Sequence, residues 1–267
     1  NVYLTLELNN DSIDEAVSHS SDLIITFHPL IFSPLSSVNI DDRVGGLVSQ
    51  IVKNNINLYS IHTNFDSHAK GTSNELCRML GFEKSEYLEQ NLNFEDKGMG
   101  VIIDLEESIN FKELLDKLST ICFSPLKYNT PNFERVSRIA ILGGSGSSYI
   151  ENAINKGCDV IITADIKYHD FHAAANRIAV IDPGHYEMEQ FVPNAMFNIL
   201  DNKLKNEITN YLSGKEIYAR DGYVCADPEY RTNIRTVTEL PWSNMFVYNM
   251  FLRPSQKELE GFKEDWL

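Results

Sequence analysis

Apolar positions along this chain follow two periods, and their alternation predicts an α/β protein built from strand–helix units. Val2-Tyr3-Leu4-Thr5-Leu6-Glu7-Leu8 alternates as a strand, and Ser12 to His19 follows as a short helix. Asp22-Leu23-Ile24-Ile25-Thr26 is almost wholly apolar, the character of a strand buried on both faces, and it ends at Phe27-His28-Pro29. From Asp41 to Asn54, Val44, Leu47, Val48, Ile51 and Val52 fall at helical spacing. Ile56 to Ser60 is a further strand, ending at His62-Thr63-Asn64-Phe65-Asp66, and a helix from Ser73 to Leu80 stops at Gly81. Leu76, Met79 and Leu80 are core positions of that helix, as are Phe191, Met196 and Phe197 of a later one.

Regularity weakens after Glu83, where the clearest elements are an alternating run from Met99 to Leu105 and an amphipathic helix from Phe111 to Leu118. Pro125 to Phe133 reads as a loop between two halves, about 1–133 and 134–267, of a single domain. The second half resumes with a strand at Arg138 to Leu142, the turn Gly143 to Ser148, and a helix from Tyr149 to Asn155. Asp159-Val160-Ile161-Ile162-Thr163 repeats the character of Asp22 to Thr26. The run Ile178 to Ile181 enters Asp182-Pro183-Gly184 and a long helix, His185 to Tyr211, with a break expected at Pro193. The segment from Ile217 onward is polar and aromatic and carries no clear pattern. Strands alternating with helices predict ligands beyond the carboxyl ends of the strands. His28, His62, Asp66 and His185 all follow apolar strands directly.

These residues carry metal-ligand chemistry. His185 and Glu189 stand four apart, so on a helix both project from one face. With His28 and Asp66 they offer two nitrogens and two oxygens, suited to Zn, Mn or Fe, and a carboxylate can bridge two ions. Such a centre lowers the pKa of a bound water toward neutrality. Ordinary roles exist for each group: His28 in a turn before Pro29, His62 and Asp66 as turn formers, Glu189 on a solvated face with His185 capping its helix. Asp165 and His169 are again four apart, beside Lys167, and form either a second functional group or a polar network. The Gly143 to Ser148 turn lacks the Lys-Ser/Thr of a phosphate loop and is better read as a strand-to-helix turn.

Composition narrows the field. Hydrophobic residues make up 43% of the 267 and charged residues 23%, ordinary for a globular protein. A net charge of −15 argues against nucleic-acid binding. Four scattered cysteines without a C-x-x-C pair suit reduced thiols in the cytoplasm or an organelle. No apolar run approaches the roughly 20 residues of a membrane span. The opening at Asn1, in what reads as mid-strand, leads us to expect a further N-terminal segment, whose targeting content the sequence does not display.

Four blocks, Asp22 to Pro34 (DLIITFHPLIFSP), His62 to Asp66 (HTNFD), Asp159 to Asp170 (DVIITADIKYHD) and Asp182 to Glu189 (DPGHYEME), resemble in order the signature blocks of the NIF3-like family. The resemblance implies an α/β fold of two halves with mixed sheets around a central dinuclear metal site, assembled as hexamers. It implies His28, Asp66, His185 and Glu189 as metal ligands and His62 as a histidine lining the same site. In bacterial members the first block reads His-His-Pro; here Phe27 holds the first position, as an aromatic residue often does in eukaryotic members. The family's usual label, GTP cyclohydrolase type 2 homologue, implies a metal-dependent hydrolase acting on a nucleotide or phosphoester, with His62 or His169 moving a proton. The alternative is a metal-binding scaffold or regulatory partner without turnover. Location follows as cytoplasmic, or mitochondrial if a targeting segment precedes Asn1.

Overall fold

The computed structural model describes residues 1–94 and 96–211 and the strands 218–220, 223–225, 234–237 and 247–250, with side chains described for 1–94 and 96–203. The chain divides into two compact units, Asn1–Asn64 with Phe191–Leu267, and Phe65–Gln190. The first opens with β1 (Val2–Thr5), α1 (Asn10–Ser18), β2 (Leu23–Thr26), α2 (Arg43–Lys53) and β3 (Asn57–Ser60). A single turn, α3 (Thr63–Asp66), leads to α4 (Thr72–Met79), β4 (Glu86–Gln90), β5 (Gly98–Asn110), α5 (Phe111–Cys122) and β6 (Lys127–Tyr128). Then come β7 (Arg135–Ser145), α6 (Ile150–Asn155), β8 (Val160–Ala164), α7 (Tyr168–Ala174), β9 (Ala179–Asp182) and α8 (His185–Glu189). The chain returns to the first unit with α9 (Val192–Tyr211), β10 (Tyr218–Arg220), β11 (Tyr223–Cys225), β12 (Ile234–Val237) and β13 (Val247–Met250).

In the first unit the sheet runs β12-β13-β1-β2-β3, with β1, β2 and β3 mutually parallel. Tyr3 and Ile24 of the sheet pack with Ile13 of α1 and Leu47 and Ile51 of α2. The apolar stripe of α2 is narrower than its sequence suggests, because Val52 is 71% exposed. The helix α1 starts two residues earlier than expected. Asn9 caps it, its side chain accepting from the Ser12 amide at 2.8 Å while the Ser12 hydroxyl accepts from the Asn9 amide at 2.9 Å.

The second unit is a mixed six-stranded sheet, β4-β5-β7-β8-β9-β6, in which β7, β8 and β9 are parallel neighbours. All five residues of β8 are buried, as an apolar run covered on both faces requires. Ile161, Val180 and Ile102 pack with Ile150 and Ala153 of α6 and Ala174 of α7, while α4 and α8 meet β7. Leu76 and Leu80 are buried as expected, but Met79 is 37% exposed on the outer side of α4. Residues 125–133, read as a link between halves, lie inside this unit, where β6 pairs antiparallel with β9.

The expected long helix from His185 is two helices. The break falls at Gln190 and Phe191, and Pro193 sits in the first turn of α9, where its missing N–H is no loss. The strand expected over Arg138 to Leu142 is longer at both ends, and after a register shift it pairs Ser145 with Ala164. No helix among the described residues is long and apolar enough to cross a membrane.

Candidate metal centre

In the second unit, the carboxyl ends of three parallel strands bring the site together. β7 ends in a bulge carrying Gly144, β8 is followed by Asp165, and β9 by His185. Glu189 lies four residues on, so α8 presents it beside His185, as the spacing implied. His185 Nε2 stands 3.2 Å from Glu189 Oε2, and its Nδ1 stands 2.6 Å from Asp165 Oδ2. Glu189 is only 2% exposed. Its hydrogen bond to the ring, reinforced by Asp165 against the opposing effect of burial, raises the His185 imidazole to about 9.

The backbone is shaped to allow this pair. A Cβ on Gly144 would lie 2.7 Å from Glu189 Oε1 and 3.4 Å from His185 Nε2, and the residue has φ +68°. Only glycine meets both conditions without strain. A Cβ on neighbouring Gly143 would fall 2.5 Å from the Thr72 methyl group, and one on Gly146 2.2 Å from the Thr163 hydroxyl. These close approaches account for the glycines of the turn without a phosphate ligand.

Asp66 is buried at the end of α3, its Oδ1 accepting from the Thr72 hydroxyl at 2.7 Å. Thr72 itself lies against Gly143, next to the Gly144 backbone that borders Glu189 and His185. Asp66 thus joins the same corner of the unit through a short run of contacts, while also tying α3 to the start of α4.

In the first unit, His28 and His62 follow adjacent parallel strands, β2 and β3. Their rings are 5.6 Å apart in an edge-on arrangement, each also touching the fully buried Phe27 ring. His62 takes a left-handed backbone, φ +46°, uncommon for a residue with a side chain. His28 Nδ1 lies 3.3 Å from Glu7 Oε1, and Arg43 stands 3.8 Å from the other oxygen of Glu7. Phe27 is a core residue here, and it brings no ligand atom.

Not every expected pairing forms. Asp165 and His169 do not share a helix face, because Asp165 has φ +58° and precedes α7. Asp165 turns instead to His185, whereas His169 is exposed on α7 with its ring 5.3 Å from that of Tyr168. Lys167 is exposed at the start of the same helix. Two contributors carry no signal of their role in the sequence: Asp165 as a partner of His185, and Asp182. The buried Asp182 carboxylate accepts from the Ile166 amide at 3.2 Å and the Gly184 amide at 2.9 Å.

The donor set fits a divalent cation. A buried carboxylate and an imidazole nitrogen converge, the second ring nitrogen is held by another carboxylate, and a glycine leaves room beside them.

Residues 1–214 match the family Duf34/NIF3 (NGG1p interacting factor 3). A Clostridium acetobutylicum protein named GTP cyclohydrolase 1 type 2 homolog is 35% identical over 193 residues, covering 70% of this chain and 71% of its own. A solved structure of a Staphylococcus aureus hypothetical protein superimposes with a TM-score of 0.71 at 22% identity, over 78% of this chain and 81% of that one. Residues 186–267 match a second family, phosphoenolpyruvate carboxykinase. The ATP-dependent enzyme of Christiangramia forsetii is 59% identical over 64 residues, which span 24% of this chain and only 12% of that protein. The patternless segment after Ile217 falls in this second match, and its side chains lie outside the described residues.

Proposed function

The chain belongs to the Duf34/NIF3 family, and on that footing we propose that it is a divalent-metal-binding hydrolase acting on a nucleotide or phosphoester. His28, Asp66, His185 and Glu189 are its proposed ligands, for two ions of Zn, Mn or Fe. The observation that carries the reading is the convergence of His185 Nε2 and the buried Glu189 carboxylate beside Gly144. An ionised carboxylate so far removed from water is stabilised by a cation beside it, and the His185 ring stands 3.2 Å away. A divalent ion held there supplies Lewis acidity toward a carbonyl or phosphoryl oxygen.

The chain's own residues have distinct tasks in this reading. Asp66 and Glu189 bring the negative charge that retains a cation, and His185 contributes a neutral nitrogen once its proton is displaced. His62 is a candidate for proton transfer near His28, and His169 a second, more exposed one. The choice of a purine nucleotide among substrates is supported by the name of the Clostridium acetobutylicum relative. Assembly into homo-oligomers, hexamers by resemblance, belongs to the same proposal. The likeness to eukaryotic members rests on Phe27, since the relative described above is bacterial.

One observation favours a second reading, a metal-binding scaffold without turnover. Phe27 is fully buried at the position where the family resemblance implies a further histidine, so the implied ligand set is one imidazole short. Metal-loaded protein incubated with GTP, cyclic nucleotides and model phosphoesters separates the two. The hydrolase reading expects turnover abolished by Asp66→Ala. Metal-replete protein inert toward all of them supports the scaffold, and turnover unaffected by Asp66→Ala overturns the site.

A further inference from the structure

We infer that Asp165 is a positioning residue that fixes the His185 ring with its proton on Nδ1 and its Nε2 facing Glu189. The inference rests on the metal-site reading above and deepens it. It starts from the 2.6 Å contact between Asp165 Oδ2 and His185 Nδ1, while Nε2 of the same ring points to Glu189. A neutral imidazole donates from one nitrogen and accepts at the other, so a carboxylate on Nδ1 leaves Nε2 as the donor atom toward a cation.

Two further observations show that the contact is built into the fold. Asp165 adopts φ +58°, a conformation disfavoured for residues with a Cβ and tolerated best by aspartate and asparagine. The left-handed residue sits in the short connection between β8 and α7, where its side chain reaches His185. Asp165 is not required as a cap, because Asp170 already accepts from the Lys167 amide at the start of α7. The second observation is Asp182. Its buried carboxylate bonds the amide that follows Asp165 and the amide that precedes His185, holding the two segments in fixed relation. β8 and β9 are parallel neighbours, so this brace closes the gap at their carboxyl ends.

Two substitutions separate the side chain from the backbone. Asp165→Gly keeps the left-handed conformation and removes the carboxylate, and Asp165→Asn keeps an acceptor oxygen. Zinc affinity is measured by competition with a chromophoric chelator. Ring ¹⁵N shifts of the metal-free protein are recorded at pH 10, with His185 identified by its loss in His185→Gln. Asp165→Gly is expected to weaken zinc about 10–100-fold, the usual cost of losing the partner of a ligating histidine. It should also move the ring proton off Nδ1. Asp165→Asn is expected to lose less affinity than Asp165→Gly, because its amide oxygen can still accept from Nδ1–H. Unchanged affinity in Asp165→Gly, an unmoved ring proton, or an Asp165→Asn as weak as the glycine variant each overturns the inference. Wild-type protein that binds no zinc would instead sink the metal-site reading, and the ring-proton measurement would still decide the role of Asp165.

Discussion

Gly144→Ala tests the geometry at its tightest point. The substitution has two costs that can be measured apart. The first is conformational: an alanine at φ +68° costs roughly 1–2 kcal/mol relative to glycine. Gly81→Ala isolates that cost, since Gly81 has φ +78° and nothing within 4 Å of a built Cβ. The second is the contact with Glu189. An ordinary van der Waals contact begins at 3.4 Å, so a Cβ at 2.7 Å obliges Oε1 to retreat by 0.7 Å. Metal–ligand distances tolerate about 0.2 Å, and Glu189 is buried with little room to move. Urea denaturation of metal-free protein should show Gly144→Ala destabilised beyond Gly81→Ala by at least about 1 kcal/mol, the low end for overpacking. Chelator competition should show its metal affinity reduced at least tenfold, about 1.4 kcal/mol, with Gly81→Ala unchanged. Equal stabilities of the two variants and wild-type affinity in Gly144→Ala would refute the reasoning.

Other outcomes follow from packing and charge. Ile161→Ala, at a fully buried position of β8, should cost about 2–5 kcal/mol in urea denaturation, and a loss under about 1 kcal/mol would contradict the placement of the core. In metal-free protein the His185 imidazole lies at about 9 against an ordinary 6.5, so the folded state binds the proton more tightly. Its stabilising effect is fully present below pH 6.5 and is lost as pH rises through about 9. The Tm difference between wild type and His185→Gln should therefore shrink from pH 6 to pH 10, and a constant difference argues against the His185–Glu189 pair. Burial pushes the Cys77 and Cys158 thiols up to about 11 and Cys122 to about 12. All three should resist a thiol-specific disulfide reagent in native protein and react after denaturation; prompt native labelling of these three would contradict their burial.

Much of the fold is legible in the sequence because its strands are buried on both faces. Leu23-Ile24-Ile25-Thr26 and Val160-Ile161-Ile162-Thr163 leave no polar alternative, and their ends locate His28 and the loop of Asp165. The spacing of His185 and Glu189 likewise carries directly into α8. What sequence spacing misses depends on contacts between distant segments. Asp165 sits four residues before His169, yet a left-handed residue and the bond to His185 decide its direction. Asp182 stands in the sequence only at the entry to a Pro-Gly turn, and the parallel pairing of β8 with β9 makes it a brace between two loops. The bulge at Gly144 is invisible locally, since its reason is a carboxylate 45 residues onward. Val52 and Met79 show the opposite error, apolar residues near a buried stripe that packing leaves outside it.

The central claim is that His185 and Glu189 hold a metal ion. Anomalous diffraction from crystals of protein purified without chelator, with data on both sides of the Zn, Fe and Mn edges, addresses it most directly. An anomalous peak is expected within coordination distance of His185 Nε2 and the Glu189 carboxylate, vanishing in Glu189→Gln crystals. Wild-type crystals grown with saturating zinc that show no peak there would contradict it.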